Sequence, residues 1–227
     1  PLRANLALAE GYLYHIADID RAALAMERGL SLNTYADLEY GYQAYEMYTD
    51  RQQSMLEGSE RVTAYRYALY TLTKNYERYA YDARTATYLA HVLDSAPGDT
   101  PADEEFLRTV LAHAIELSPK RAQAHYMLAN ISLKKGDAAP RSAERNRYYH
   151  EGIEILEKYA TQVPNLAEPR YIIANLYLVI GDKVSAKKWA DEGSALYLGG
   201  EETTHRAIRY YIAIEDWPHA LSFLEGI

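Results

Sequence analysis

His150-Glu151-Gly152-Ile153-Glu154 is the stretch of this 227-residue chain that comes nearest to a metal-dependent hydrolase. A zinc-protease helix carries two histidines four positions apart on one face, with a glutamate beside the first. Here Glu154 stands at the second histidine's place, so one helical turn offers an imidazole and two carboxylates, the composition of a solvated face. The seven histidines, at positions 15, 91, 113, 125, 150, 205 and 219, include no pair four apart, and the chain has no cysteine. Thiol nucleophiles, disulfide frameworks and cysteine-based zinc sites are thereby excluded. No glycines fall at the spacings of a phosphate loop, a dinucleotide fingerprint or a nucleophile elbow. The carboxylate pairs Asp18/Asp20 and Glu104/Glu105 fall at helix starts or turns, and Asp103 to Glu105 open a helix whose dipole their charge complements. Paired acid and base work needs a cleft that separates two pKa values. The sequence therefore assigns no catalytic residue, no metal and no cofactor.

Binding chemistry is better represented. The chain has 23 tyrosines against two phenylalanines and two tryptophans. A phenol offers a flat apolar plate with a polar edge, and an asparagine amide offers both donor and acceptor. Tyr126/Asn130 and Tyr171/Asn175 are each one helical turn apart and share a face. Such pairs suit an extended peptide, and nearly as well a sugar, whose C–H face stacks on aromatic rings. Most tyrosines, Tyr67, Tyr70, Tyr76 and Tyr79 among them, are expected to pack between helices. A formal net charge of −8 argues against a nucleic-acid partner, which calls for a basic face. Arg141, Arg145 and Arg147 form one local basic patch, expected to be a solvated loop. Asn130-Ile131-Ser132 matches a glycosylation acceptor but falls inside a helical stretch.

The elements that must position these residues are helices. Leu107, Val110, Leu111, Ala114, Ile115 and Leu117 make an apolar stripe at helical spacing, ending at Ser118-Pro119. No segment reads as a strand, and the longest apolar stretch, Tyr171 to Ile180, is too short to span a bilayer. The helices repeat: AHYMLANISLKKGD (124–137) and PRYIIANLYLVIGD (169–182) are copies offset by 45 residues, each closing on Gly-Asp. Six units follow, at approximately 2–35, 36–81, 82–119, 120–165, 166–200 and 201–227, forming a single helical-repeat domain. First-helix anchors fall at Glu10, Ala44, Ala90, Ala129, Ala174 and Ile208, and second-helix anchors at Ala22, Ala68, Leu107, Gly152, Ala186 and Ala220. Excess residues lie between the two helices of units two, three and four, at 51–62, 95–103 and 138–148, where Pro, Gly, Ser and charged residues predict lengthened loops.

This pairing of hairpins resembles the tetratricopeptide repeat, whose period is about 34 residues. The resemblance implies an all-α, right-handed superhelical solenoid of about six helical hairpins. It also implies that ligand contacts come from first-helix residues facing a concave groove: Tyr14, Tyr45, Tyr48, His91, Tyr126, Asn130, Tyr171, Asn175, His205 and Arg209. Several strings, PLRANLALAEGYLY, ALAMERGLSLNTYADLEYGYQAYEMY, NYERYAYDARTATYLAHVL and AIELSPKRAQAHYMLANISLKKGD, are similar to the soluble tail of O-antigen ligase family membrane proteins. That similarity carries no catalytic motif. It implies attachment to a membrane-embedded, glycan-handling parent, on the extracytoplasmic side of a bacterial cytoplasmic membrane. The chain opens at Pro1 without an initiator methionine or signal sequence and stops within a second helix, so it is expected to be an excised piece of a longer chain. The expected role is a non-catalytic scaffold binding a protein segment or a glycan; the alternatives are a cytoplasmic adaptor for partner peptides and a soluble glycan-acting enzyme.

Overall fold

A computed structural model describes residues 2–49, 58–98 and 103–224. All regular structure in the described residues is helical: α1 (Leu2–Tyr14), α2 (Ile19–Leu30), α3 (Asp37–Thr49), α4 (Ser59–Arg78), α5 (Ala83–Asp94), α6 (Glu104–Leu117), α7 (Ala122–Ala138), α8 (Ser142–Gln162), α9 (Glu168–Val179), α10 (Lys183–Ser194), α11 (Glu201–Ala213) and α12 (Trp217–Leu224). None of the helices in the described residues is long and apolar enough to cross a membrane. Consecutive helices pair as six antiparallel hairpins, and the chain divides into two compact units, residues 1–118 and 119–227.

Local chemistry sets several helix starts. Asp18, Asp82, Asp103 and Asp182 each stand just before a helix and accept a hydrogen bond from a backbone N–H of its first turn, satisfying donors the helix leaves open. Within the first unit α2 packs on α4, α4 on α5 and α3 on α5; within the second α8 packs on α9 and α9 on α11. The second-helix anchors Ala22, Ala68, Leu107, Gly152, Ala186 and Ala220 are all buried, as are Ala44, Ala90, Ala129, Ala174 and Ile208 on the first helices. Glu10 departs from this pattern. It is half-buried and ion-paired with Arg28 at 2.9 Å, while its neighbour Gly11 is the buried contact, because a Cβ on Gly11 would meet Met26 at 2.4 Å.

Tyrosine does much of the packing, and at Tyr40 and Tyr149 it does so in a form phenylalanine could not reproduce. The Tyr40 ring lies against the Gly29 backbone and its hydroxyl donates to the Ala4 carbonyl at 2.5 Å, tying α3 to α1 and α2. Tyr149 lies on Gly136 and donates to Asp137, and Tyr171 lies on Gly193. Each glycine removes the side chain that would hold the ring off, and where the hydroxyl reaches an acceptor its burial is compensated. Tyr70, by contrast, is half exposed rather than packed.

The extra residues of unit four do not form the lengthened loop expected at 138–148. α7 runs on to Ala138 and α8 begins at Ser142, so the insertion is absorbed as longer helices. After Pro140 the segment Ser142-Ala-Glu-Arg-Asn-Arg contains no helix breaker, and its alanine, glutamate and arginines favour helix. The same Gly-Asp string therefore has two outcomes. Gly181 has a φ of +84° and ends α9 in the left-handed region, with Asp182 capping α10, whereas Gly136 stays inside α7 beneath the Tyr149 ring. Of the loop expected at 51–62, residues 51–57 lie outside the described residues and 59–62 are not loop but the first turn of α4; the loop expected at 95–103 falls between α5 and α6, with 99–102 outside the described residues.

Candidate functional site

The first-helix faces of the two units differ in what they expose. In the first unit, α3 and α5 bring an aromatic group together: Tyr45 stacks on Tyr88 with centroids 4.0 Å apart and planes 8° from parallel, and its hydroxyl shares a hydrogen bond of 2.9 Å with His91 Nδ1. Burial lowers the His91 pKa, with Asp94 acting in the opposite direction. One turn earlier on α3, Tyr42 approaches Tyr88 at 6.2 Å with a 42° tilt and remains 38% exposed. Its phenol is pushed up, most strongly by the charge of Glu46, then by burial and the charges of Tyr88 and Glu39, with Arg84 opposing.

Two clefts meet at Tyr42. One, of about 510 Å³, runs between the end of α1 and α3, lined by Tyr12, Leu13, His15, Gln43, Glu46 and Met47 among others. The second, of about 430 Å³, lies between α3 and α5, with Glu39, Asp82, Arg84 and Tyr88 on its walls. Together they offer exposed phenol rings, an amide and carboxylates on rigid helices, a surface suited to non-covalent recognition.

Of the residues expected in a groove, Tyr45 and His91 are half-buried members of this aromatic group. Tyr48 is buried, donating to the Ser95 carbonyl at 2.5 Å, so it bridges α3 to the end of α5. Tyr14 is covered by the Arg21 guanidinium, 3.6 Å above its ring.

In the second unit Tyr171 is fully buried among Ala174, Ala186, Ala190, Ala207, Tyr210 and Tyr211, and burial raises its pKa. Its side chain is core, not groove. Asn175 spends its amide on the Tyr171 and Arg206 carbonyls at 2.7 and 3.2 Å, joining α9 to α11. Asn130, His205 and Arg209 are exposed, and His205 lies 3.8 Å from Glu201. The Tyr126 hydroxyl is buried without a hydrogen-bond partner; burial, then the Glu168 charge, raises its pKa. Near it Arg206 pairs with Glu202 at 3.0 Å and approaches Glu168 at 3.7 Å. Arg145 and Arg147 of the basic patch lie over Tyr149 and Tyr148 on α8. Among the described residues no group of three or more His, Asp or Glu side chains is gathered to hold a metal.

Sequence reasoning passed over Tyr12, Tyr42, Tyr88 and Glu46, although the repeat register contains the signal. Tyr42 and Tyr88 both stand two residues before the anchors Ala44 and Ala90, and Tyr45 and His91 one residue after them. Taking Gly11 as the anchor of the first hairpin gives Tyr12 the same place as Tyr45 and His91.

No family model matches the chain, and no curated protein matches it. Among solved structures, the crystal structure of TTC0263, a thermophilic TPR protein of Thermus thermophilus, aligns over 98% of this chain and 97% of its own, with 18% identity and a TM-score of 0.44.

Proposed function

We propose that this chain is a non-catalytic binding module, a scaffold that takes an extended protein segment along the α1–α3–α5 face of its first unit. The observation that carries this is the pair of clefts meeting at Tyr42. Large aromatic side chains are exposed there on helices whose opposite faces are closed by packing. Exposed rings on a rigid surface supply contact area at small entropic cost, and Gln43 supplies an amide for a peptide backbone. The test is panning of the whole chain against phage-displayed random dodecapeptides, followed by fluorescence anisotropy with synthetic binders. Binding that Tyr42→Ala weakens and Arg209→Ala does not supports the assignment; binding indifferent to Tyr42 refutes it.

The strings similar to O-antigen ligase tails support a further proposal about context. The module would hang from a membrane-embedded glycan ligase or polymerase, on the extracytoplasmic side of a bacterial cytoplasmic membrane. An epitope-tagged native gene product should then be cut by external protease in intact spheroplasts. Protection until lysis would instead point to the cytoplasmic adaptor.

A further inference from the structure

We propose that the segment taken up by the first unit is basic, and that one of its lysine or arginine side chains lies over the Tyr42 ring between Glu39 and Glu46. This rests on the peptide-binding role proposed above and narrows it to one chemistry. Glu39, Tyr42 and Glu46 are three and four residues apart on α3, so the two carboxylates flank the ring along one helix face. The Gln43 amide holds Glu39 at 2.9 Å, and Glu46 has no ion pair among the described residues. Both charges act on the Tyr42 hydroxyl, Glu46 more strongly. Arg84 is the opposing cation; it is exposed and belongs to the neighbouring cleft, where Asp82 stands near it.

The protein already uses this arrangement internally. On α1, Glu10 and Tyr14 are four residues apart, and Arg21 from α2 places its guanidinium 3.6 Å above the Tyr14 ring while an amino group lies 3.6 Å from the Glu10 carboxylate. Tyr42 and Glu46 repeat that glutamate-and-tyrosine pair in reversed order on α3. There the ring is 38% exposed, and among the described residues no cation lies over it. A cation over a phenol face gains from the ring quadrupole, and adjacent carboxylates add to the attraction. A neutral segment would return only uncharged donors to Glu39 and Glu46 for the water it displaces, and an acidic one would add repulsion.

The dodecapeptide panning described above decides the matter when its binders are resynthesised. Lysine or arginine should be enriched among them, and replacing that residue by glutamine should weaken binding. Tyr42→Ala should weaken it about two- to fivefold, the range of an exposed cation–ring contact, and Tyr42→Phe, which keeps the ring, should not. The double variant Glu39→Gln/Glu46→Gln should weaken it about two- to tenfold and flatten its salt dependence. Circular dichroism melts matching wild type would show that each variant folds. Neutral or acidic binders that still depend on Tyr42 would overturn the basic-segment inference and leave the peptide-binding role standing. Absence of any binder, or binders that none of these variants affects, would overturn both.

Discussion

Replacing Tyr171 by alanine separates core tyrosines from surface ones. Its side chain is fully buried, its ring 3.1 Å from where a Cβ on Gly193 would lie, and it is packed among Ala174, Ala186, Ala190 and Ala207. An aromatic side chain buries about 150–250 Å². At about 25 cal/mol per Å² that is roughly 4–6 kcal/mol, and its upper end is reduced because the unfolded chain already hides part of that area. Aromatic-to-alanine substitutions in cores cost about 3–5 kcal/mol, in agreement. Alanine neighbours have little side chain with which to fill the void, which keeps Tyr171→Ala in that range. At about 2–4 °C per kcal/mol for a chain of this size, the melting temperature should fall by roughly 6–20 °C. Thermal and urea melts followed by circular dichroism at 222 nm would measure it, with Tyr42→Ala as the comparison, expected to cost less than about 1 kcal/mol because its ring is on the surface. A Tyr171→Ala melt within about 2 °C of wild type would refute the placement of this ring in the core.

Four other outcomes follow from the packing. Ala186→Leu should destabilise by about 1–3 kcal/mol through overpacking at a fully buried site, measured by urea titration. Gly181→Ala should cost about 1–2 kcal/mol because its φ of +84° strains an L-residue, with open space around it. Gly136→Ala should destabilise instead by collision with Tyr149, so its cost combined with Tyr149→Ala should be less than the sum of the two, while Gly181→Ala should add independently. His125 is buried, bonded through Nε2 to the Pro119 carbonyl at 2.8 Å and stacked on Tyr159, and burial lowers its pKa. The unfolded chain then binds more protons below the ordinary histidine pKa of about 6.5, so stability is full above that pH and is lost as pH falls through the folded value. Melts between neutral and mildly acid pH should show that loss, and His125→Gln should reduce it.

Much of the architecture was legible because helix signals are local. Aspartates before apolar periods cap helices, and alanines recurring at the hairpin interval are buried because two helices approach closely only over small side chains. The site was less legible for the same reason. Tyr171 and Tyr42 are the same residue type on first helices, and nothing local distinguishes a ring that meets Gly193 from one that meets solvent. The insertion of unit four departs from its expected loop because Pro140 and a run of charges resemble one, whereas the helix formers after Pro140 extend α8.

What the residues alone determined was the helical hairpin, its repetition and the positions where small side chains must face inward, since these depend on periodicity and capping within a few turns. Only the tertiary structure decided which tyrosines are core. It showed that Gly11 and not Glu10 makes the first close contact, that Gly136 and Gly181 play opposite parts in identical strings, and that Tyr42 stands open between two carboxylates. Those outcomes depend on which side chain of a neighbouring helix arrives at a given ring or glycine, and that is set by packing between residues tens of positions apart.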